Sequence, residues 1–268
     1  MSALTLTLKT QPAQRVDMSP LTCNRLQGLS LADIGTITLQ SGKAKIPVSE
    51  LFDIAGEDTQ HLIIKNSTAK LDFIGKELNG GKILVEGDAG AYLGMGMKSG
   101  EIKVSGNAGL FAACEMKNGY LEIAGDVGDL LGAAQVGNKN GMKGGLVLVK
   151  GNAGERVGDH LRRGTILIEG NAGDYCGSRM IAGTIAVMGT TGRYLGYAMR
   201  RGTLLLWNQP QLSATFNDCG SHTLAFLPIL FGSFKSLNSK FAKTSFNRVQ
   251  RYAGDMAEIG RGEVLVKL

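Results

Sequence analysis

The sequence predicts an all-β chain built around a single-stranded, right-handed parallel β-helix with about 19 residues per coil. The first observation is a fixed period: from Gly81 to Gly202, a glycine followed by strand-type residues recurs every 19 residues, except for one step of 26 after Gly119. The second is strict alternation of apolar residues after each glycine, which is typical of strands with one buried face. The third is the absence of proline from 81 to 207, since each coil must donate N–H groups to the next.

Each coil repeats the same local pattern. After the opening glycine and its strand come two glycines three residues apart, most often as the run G-[ND]-A-G, and a further glycine follows at the next corner, with Ala113 as the one exception. Glycine suits these corners because it accepts positive φ and allows close approach of neighbouring backbone. The 26-residue step loops out about seven residues near Val136 to Asn140. A right-handed coil is favoured because strand crossovers have that hand.

We expect three segments: a capping segment over 1–59, the β-helix over 60–207, and a C-terminal segment over 208–268. In the first, residues 3–8 alternate like a strand, a hairpin turns at Ser41-Gly42, and a short capped helix runs from Ser49 to Gly56. Such a segment covers the open edge of the first coil. In the third, aromatic residues at roughly helical spacing precede a final strand that begins at Gly262.

Leucines stand at outward positions of the later coils. Leu148, Leu167 and Leu205 share a phase that holds Lys103 and Glu122 in earlier coils. Contiguous apolar surface of this kind needs a cover. We therefore expect either the C-terminal segment or another protein chain to pack there.

Composition favours a cytoplasmic protein. The 268 residues carry a formal net charge of +6, which is modest for a nucleic-acid-binding protein. The N-terminus shows no secretory signal pattern, and the longest apolar run is too short to span a bilayer, so no membrane association is predicted. The four cysteines form no C-x-x-C pair, and we expect buried free thiols in a reducing compartment.

The sequence shows no catalytic constellation and no metal site. The histidines, His61, His160 and His222, stand far apart without a companion nucleophile or carboxylate pattern. Several Asp residues lie at or beside turns, where Asp is common for backbone reasons. There is no Walker motif and no G-x-G-x-x-G opening a helix, so we expect no cofactor bound by this chain itself.

One polar pattern repeats with the period of the coils, and it consists of basic residues. Cations stand two residues before most new coils, and we call this set, with the cations one residue later, the basic ladder: Lys98, Lys117, Lys143, Arg162, Arg163, Arg200 and Arg201. Ile181 interrupts it. One interpretation is a row of solvated corner residues screened by salt. The other is a strip that binds an extended polyanion, such as a polyglutamate chain, whose repeat matches the spacing of the coils.

Aromatic residues recur at a second outward position. We call this set the aromatic strip: Tyr92, Phe111, Tyr175 and Tyr194. The strip indicates either an interface with another protein chain or residues partly buried under a cap of this chain.

The coil motif resembles the GXGXG β-helix family. It is carried by Gly106-Asn107-Ala108-Gly109 and by Gly170-Asn171-Ala172-Gly173, each within a 19-residue coil. That family includes the C-terminal domain of the glutamate synthase large subunit and the C subunits of formylmethanofuran dehydrogenase and of the bacterial formyltransferase/hydrolase complex. Overall length and the Met-Lys corners make the C subunits the better match.

The resemblance implies a structural subunit without an active centre of its own. Its partners would be an amidohydrolase-like A subunit that releases formate, a B subunit, and a D subunit that transfers formyl from formyl-tetrahydromethanopterin to methanofuran. The carrier, a methanofuran analogue with a polyglutamate tail, is an extended polyanion of the kind that the basic ladder would guide.

Three alternatives remain open at this point. The chain is instead the C subunit of an archaeal formylmethanofuran dehydrogenase, a purely architectural scaffold with no carrier contact, or a self-sufficient β-helix enzyme. The scaffold alternative predicts that loss of the ladder charges weakens assembly only. The enzyme alternative predicts turnover by the isolated chain.

Overall fold

The structure, a computed structural model, describes residues 2–268. Its N-terminal part contains β1 (Ala3–Leu8), β2 (Val16–Asp17), α1 (Cys23–Leu26), α2 (Leu31–Thr36), β3 (Thr38–Ser41), β4 (Ala44–Pro47), α3 (Val48–Leu51) and β5 (Phe52–Ala55). β3 and β4 form an antiparallel hairpin at the expected turn. The short helix begins at Val48 rather than Ser49, because Pro47 supplies the extended residue that precedes it. The expected continuation to Gly56 is wrong, since residues 52–55 form β5, which pairs with β1.

The coils contribute a long series of strands. These are β6 (Asp58–Ser67), β7 (Leu71–Asp72), β8 (Asn79–Gly87), β9 (Ser99–Val104), β10 (Tyr120–Ile123), β11 (Lys143–Val149), β12 (Arg163–Ile168), β13 (Thr184–Val187) and β14 (Arg201–Leu206). β6 and β8 to β14 pair in parallel, each with the next, inside a sheet of 13 strands in the described chain. Ile166 therefore faces Val147 on one side and Ile185 on the other.

The N-terminal part extends the same sheet. β1 lies parallel to β6, and β5 pairs antiparallel with β1 as the outermost strand. A smaller sheet takes the order β4-β3-β2-β7, so it joins the hairpin to the first coil. Residues before the coils thus occupy the edge where the parallel stack would otherwise begin unpaired.

The core runs along the inside of the coils. One inward position is at most 1% exposed in successive coils: Ile83, Ile102, Leu121, Val147, Ile166, Ile185 and Leu204. Burial of each such side chain stabilises the fold by about 1.5–3 kcal/mol. Since equivalent residues meet across neighbouring strands, the stack tolerates no slip of register.

The G-[ND]-A-G run forms a second, side-chain-mediated connection between coils. Asn107 Oδ1 accepts the N–H of Asp126 at 2.8 Å, and Asn152 Oδ1 accepts the N–H of Asn171 at 2.9 Å. The preceding glycine has no room for a side chain, because a Cβ on Gly125 would collide with Asn107 Oδ1. The alternation of Asp and Asn at this position is therefore structural, as each residue needs only an acceptor oxygen.

The C-terminal part returns to the stack. It contains β15 (Asn217–Thr223), α4 (Phe226–Ser233), a 3₁₀ helix (Lys240–Lys243), β16 (Arg248–Gly254) and β17 (Arg261–Lys267). β17 adds one more parallel rung beside β14, with Gly262 opposite Gly202. β16 and β15 then follow antiparallel. The aromatic spacing thus yields only one short α-helix, and the polar strand β15 has no counterpart in the sequence expectation.

The outward leucines lie beneath this C-terminal part. They form the outer cluster, whose members are Leu148, Leu167, Ala186, Leu205, Leu227, Phe231, Phe234, Phe241, Val249 and Leu265. All are at most 3% exposed. Trp207 packs at the side of this cluster, edge-on to Phe241 with ring centroids 5.5 Å apart. Residues of this chain therefore cover the apolar stripe of the later coils.

The cysteines are free thiols, and three are buried as expected. Burial raises the pKa of Cys176 to about 12, and burial together with the neighbouring Glu115 raises the pKa of Cys114 to about 12. The expectation is wrong for Cys219, which is exposed because it lies on the edge strand β15. No helix among residues 2–268 is long and apolar enough to cross a bilayer.

Candidate polyanion-binding surface on the coil corners

The basic ladder lies at one corner of successive coils. The backbone N–H of each corner cation donates to a carbonyl of the preceding coil, at 2.8 Å for Lys98 and Lys117, 2.7 Å for Lys143, 3.0 Å for Arg162 and 2.8 Å for Arg200. Ile181 makes the same bond at 2.8 Å and holds the place between Arg162 and Arg200. The corner residues are therefore stacked in register.

The four arginines of the ladder share one cavity. Arg162, Arg163, Arg200 and Arg201 line a space of about 380 Å³, which Ile181, Ala182 and Ile259 complete. All four arginines are exposed. Lys98, Lys117 and Lys143 continue the line along the earlier coils but do not line this cavity. Although Ile181 interrupts the row of cations, the arginines on both sides of it line the same cavity, and the Ile181 side chain forms part of the cavity wall.

A second cavity adjoins the first and shares Arg200. We call it the Arg179 cavity; it measures about 600 Å³ and is lined by Lys139, His160, Arg179, Ile181, Tyr197, Ala198, Arg200 and Glu258. Behind it lies Asp159, which is only 4% exposed. The Asp159 carboxylate accepts hydrogen bonds from Ser178 Oγ at 2.7 Å and from Arg179 Nε at 2.9 Å. His160 Nδ1 lies 3.3 Å from its other oxygen.

These residue types are those of a hydrolase triad, but their arrangement is not. A serine nucleophile must be exposed and must bond to the imidazole, which the carboxylate orients from its far side. Here Ser178 is fully buried and donates to Asp159 rather than to His160. The cluster is therefore suited to holding Arg179 in place rather than to acyl transfer.

Two irregular segments wall these cavities. The inserted loop is attached to the coil below by Glu115, whose carboxylate accepts the N–H of Gln135 at 3.2 Å and the amide of Asn138 at 2.5 Å. The loop brings Lys139 to the Arg179 cavity. The turn after β16 contributes Glu258 and Ile259. The stack thus departs from its repeat at the places where it encloses the cationic corners.

Asp255 anchors the second of these segments. Its carboxylate accepts the N–H groups of Ala198 and Ala257, each at 3.0 Å. Burial acts to raise its pKa, but the hydrogen bonds from Thr215, Ala257 and Ala198 outweigh burial and hold that pKa below its usual value. The turn carrying Glu258 is therefore bonded to a corner of the last regular coil.

The aromatic strip forms two separate stacks. Tyr92 stacks on Phe73 and Phe111, with ring centroids 4.8 and 5.1 Å apart. Tyr175 and Tyr194 stack at 4.7 Å. Each strip residue has φ near +60°, so its side chain points away from the coil at an equivalent corner. Leu130 and Arg156 occupy the rungs between the stacks, and the Arg156 guanidinium lies 4.5 Å from the Tyr175 ring.

Sequence reasoning misses Asp159, His160 and Lys139 as members of a site. Asp159 resembles the other turn aspartates, yet it stands 19 residues before Ser178 and so directly one coil away. That spacing is a usable signal, because side chains at equal phase are neighbours. Lys139 has no such signal, since it lies in the inserted loop. Residues 2–268 contain no group of three His, Cys, Asp or Glu side chains placed to hold a metal ion.

Comparison with known proteins identifies the family. The family model for the GXGXG motif matches residues 69–223. The chain belongs to the GXGXG family. The C subunit of the formyltransferase/hydrolase complex of Methylorubrum extorquens is 39% identical over 89 residues, 33% of this chain and 34% of that protein. The C subunit of the tungsten-containing formylmethanofuran dehydrogenase 2 of Methanococcus maripaludis is 35% identical over 95 residues, 35% of each chain.

A solved structure extends the similarity to nearly the whole chain. A chain in the crystal structure of the formyltransferase/hydrolase complex from Methylorubrum extorquens, in complex with methylofuran, superposes with a TM-score of 0.94. The two are 39% identical, and the match covers 98% of this chain and 99% of that one. The sequence alignments above, by contrast, span about a third of each curated relative. The predicted family resemblance and the predicted all-β, parallel coil architecture of the GXGXG chain are thus confirmed.

Proposed function

We propose that this GXGXG chain is a non-catalytic structural subunit of a one-carbon-transfer complex. In that complex, formyl passes from formyl-tetrahydromethanopterin to a methanofuran-type carrier and is released as formate. The observation that carries the proposal is the superposition on a chain of the formyltransferase/hydrolase complex over 98% of the residues. The partners are then an amidohydrolase-like A subunit, a B subunit and a formyltransferase D subunit.

The basic ladder gives this chain a role beyond spacing its partners. Stacked corner cations produce a positive potential that attracts and orients an anionic chain. The four-arginine cavity concentrates that potential beside the row of Lys98, Lys117 and Lys143. We assign the polyglutamate tail of the carrier to this row, so that the chain guides the carrier between two catalytic subunits.

The aromatic strip is assigned to contact with a partner protein of the complex. Its stacked rings are rigid and partly exposed, and Tyr194 is 52% exposed. Tyrosine and phenylalanine of this kind are enriched at protein interfaces, where they bury large area at low cost in side-chain entropy. The strip and the basic ladder occupy different corners, so partner contact and carrier contact do not compete for the same residues.

The ladder is tested in the assembled complex with Arg162, Arg163, Arg200 and Arg201 replaced by Gln. Exposed ion pairs contribute about 0.2–1 kcal/mol each, so the KM for the polyglutamylated carrier should rise roughly tenfold or more. Its dependence on salt should weaken as well, since fewer charges are screened. A carrier without the polyglutamate tail should show no such change.

The control removes four exposed cations far from the ladder: Lys43, Lys45, Lys235 and Arg248, each to Gln. It changes net charge equally and should leave the KM within twofold. An unchanged KM in the ladder variant, with the complex dissociating more easily, would instead support the purely architectural alternative. The archaeal alternative is separated by the partners that copurify, and the enzyme alternative by formate release from the chain alone.

A further inference from the structure

The Arg179 cavity contains a cation whose position is set by a buried carboxylate. Asp159 engages Arg179 through two guanidinium nitrogens, Nε and Nη2, and its first oxygen also accepts from the buried Ser178. A guanidinium has five N–H groups, so this arrangement leaves N–H groups of Arg179 for a second acceptor. Because Asp159 holds the Arg179 guanidinium in one orientation, Arg179 loses less side-chain entropy when a ligand binds.

The same cavity already contains one carboxylate of this chain. Glu258 Oε2 lies 3.5 Å from Arg200 Nε, and Glu258 lines the wall together with Lys139, His160 and Arg179. Side chains of this pair are 36% exposed for Glu258 and 59% exposed for Arg200. An exposed pair of this kind is weak and is readily exchanged for another anion. Its presence shows that a carboxylate fits beside Arg200.

We propose that the Arg179 cavity is a carboxylate-binding site, in which Arg179 and Arg200 bind one carboxylate of an acidic ligand that displaces Glu258. Asp159 is a positioning residue that acts through Arg179 and does not touch the ligand. Glu258 occupies the site when no ligand is bound. The inference rests on the proposed function in taking the ligand to be polyglutamate, and it adds an anchoring point at the end of the ladder.

A carboxylate is favoured over a phosphate by the cavity itself. Arginine forks bind both groups, so the guanidinium geometry alone does not decide between them. The internal occupant does, because Glu258 presents a planar carboxylate to Arg200 on a turn that Asp255 bonds to the coil. In the free chain the Glu258 carboxylate lies beside Arg200, and a carboxylate of the ligand replaces it there.

The test measures binding of fluorescein-labelled hexaglutamate to the purified full-length chain by anisotropy. Glu258→Gln should tighten binding about two- to fivefold relative to Glu57→Gln, which removes an equal charge from an exposed N-terminal position. Arg179→Gln should weaken binding about tenfold or more relative to Arg248→Gln, because it removes charge-assisted hydrogen bonds. Equal affinities within either pair of variants would overturn the site.

Asp159 is tested by a double-mutant cycle. Asp159→Asn should weaken binding nearly as much as Arg179→Gln, and the double variant should be no weaker than Arg179→Gln alone. Additive losses would mean that Asp159 does not act through Arg179. If Asp159→Asn fails to fold, Ser178→Ala replaces it in the cycle, with a smaller loss that again should not add.

The outcomes separate this inference from the proposed function. If the wild-type chain binds no hexaglutamate, the guiding role and the cavity site both fail, and the purely architectural alternative is supported. If replacing Lys98, Lys117 and Lys143 by Gln weakens binding while Arg179→Gln and Glu258→Gln match their controls, the guiding role stands and the cavity site fails. If millimolar inorganic phosphate displaces hexaglutamate from wild type but not from Arg179→Gln, the site is a phosphate site and the carboxylate assignment is wrong.

Discussion

Replacing Leu167 by Ala should release part of the cover that the C-terminal residues form over the later coils. Leu167 is 0% exposed in the outer cluster, and its strand neighbours Leu148 and Ala186 are held at fixed rung spacing. The site therefore has little freedom to collapse around the missing isopropyl group. Leu→Ala changes at such positions cost about 2.7–5.0 kcal/mol, and we expect about 3 kcal/mol here.

The single tryptophan provides the assay. Trp207 lies edge-on to Phe231, Phe241 and Phe246, so its emission reports whether the aromatic cover is in place. Urea unfolding followed at this residue should show a lower midpoint for Leu167→Ala, with red-shifted emission before the main transition. The cover should loosen before the coil core opens, because only the cover depends on the outward leucines.

A matched control lies in the same phase on an earlier coil. Leu84 faces Lys103 across β8 and β9 and is only half-buried, so Leu84→Ala should cost about 1 kcal/mol or less without shifting the emission of Trp207. Equal losses for the two variants, or an unshifted Trp207 in Leu167→Ala, would refute the view that the C-terminal residues are held by these leucines.

Two further predictions concern pH. Burial raises the pKa of Cys176 to about 12, so its neutral thiol stabilises the fold fully below pH 9. That stability, up to roughly 4 kcal/mol, is lost as the pH rises from 9 to 12. Cys176→Ala should therefore flatten the fall of the urea midpoint at alkaline pH, and a fall as steep as that of wild type would contradict this role of the buried thiol. The pKa of Asp255 is lowered, so its contribution is present above pH 3.8 and is lost as the pH falls further, and Asp255→Asn should show a smaller loss of midpoint below pH 4 than wild type. An acid profile identical to that of wild type would count against the hydrogen bonds assigned to Asp255.

The coil architecture can be predicted from the sequence because every coil places the same physical requirements on the residues at equivalent positions. Ile166 and its equivalents must be apolar to fill the interior, and the glycine before each Asn or Asp must lack a side chain. Such requirements recur at one period, so they reinforce each other. The outward leucines are informative for the same reason, since a change from Lys103 to Leu148 at one phase marks a change of environment.

The C-terminal part and the Arg179 cavity are harder to predict from the sequence. β15 is a polar, mostly exposed strand at the edge of the sheet, so its sequence shows no apolar alternation that would predict a strand. β17 returns to β14 from about 60 residues away, and no local pattern determines such a partner. Lys139 and Glu258 reach the cavity from irregular segments, whose conformation depends on tertiary bonds from Glu115 and Asp255. Where the repeat ends, sequence periodicity ceases to locate side chains.

The extra seven residues between Ala134 and Met142 have a practical consequence. β10 and β11 keep unbroken pairing across the 26-residue step, and Val127 still bridges to Ala153. The seven inserted residues therefore form a loop outside the β-helix and leave the pairing of the neighbouring coils unchanged. The tip at Val136, which is 96% exposed, is therefore a natural attachment point for a fluorophore or a grafted peptide.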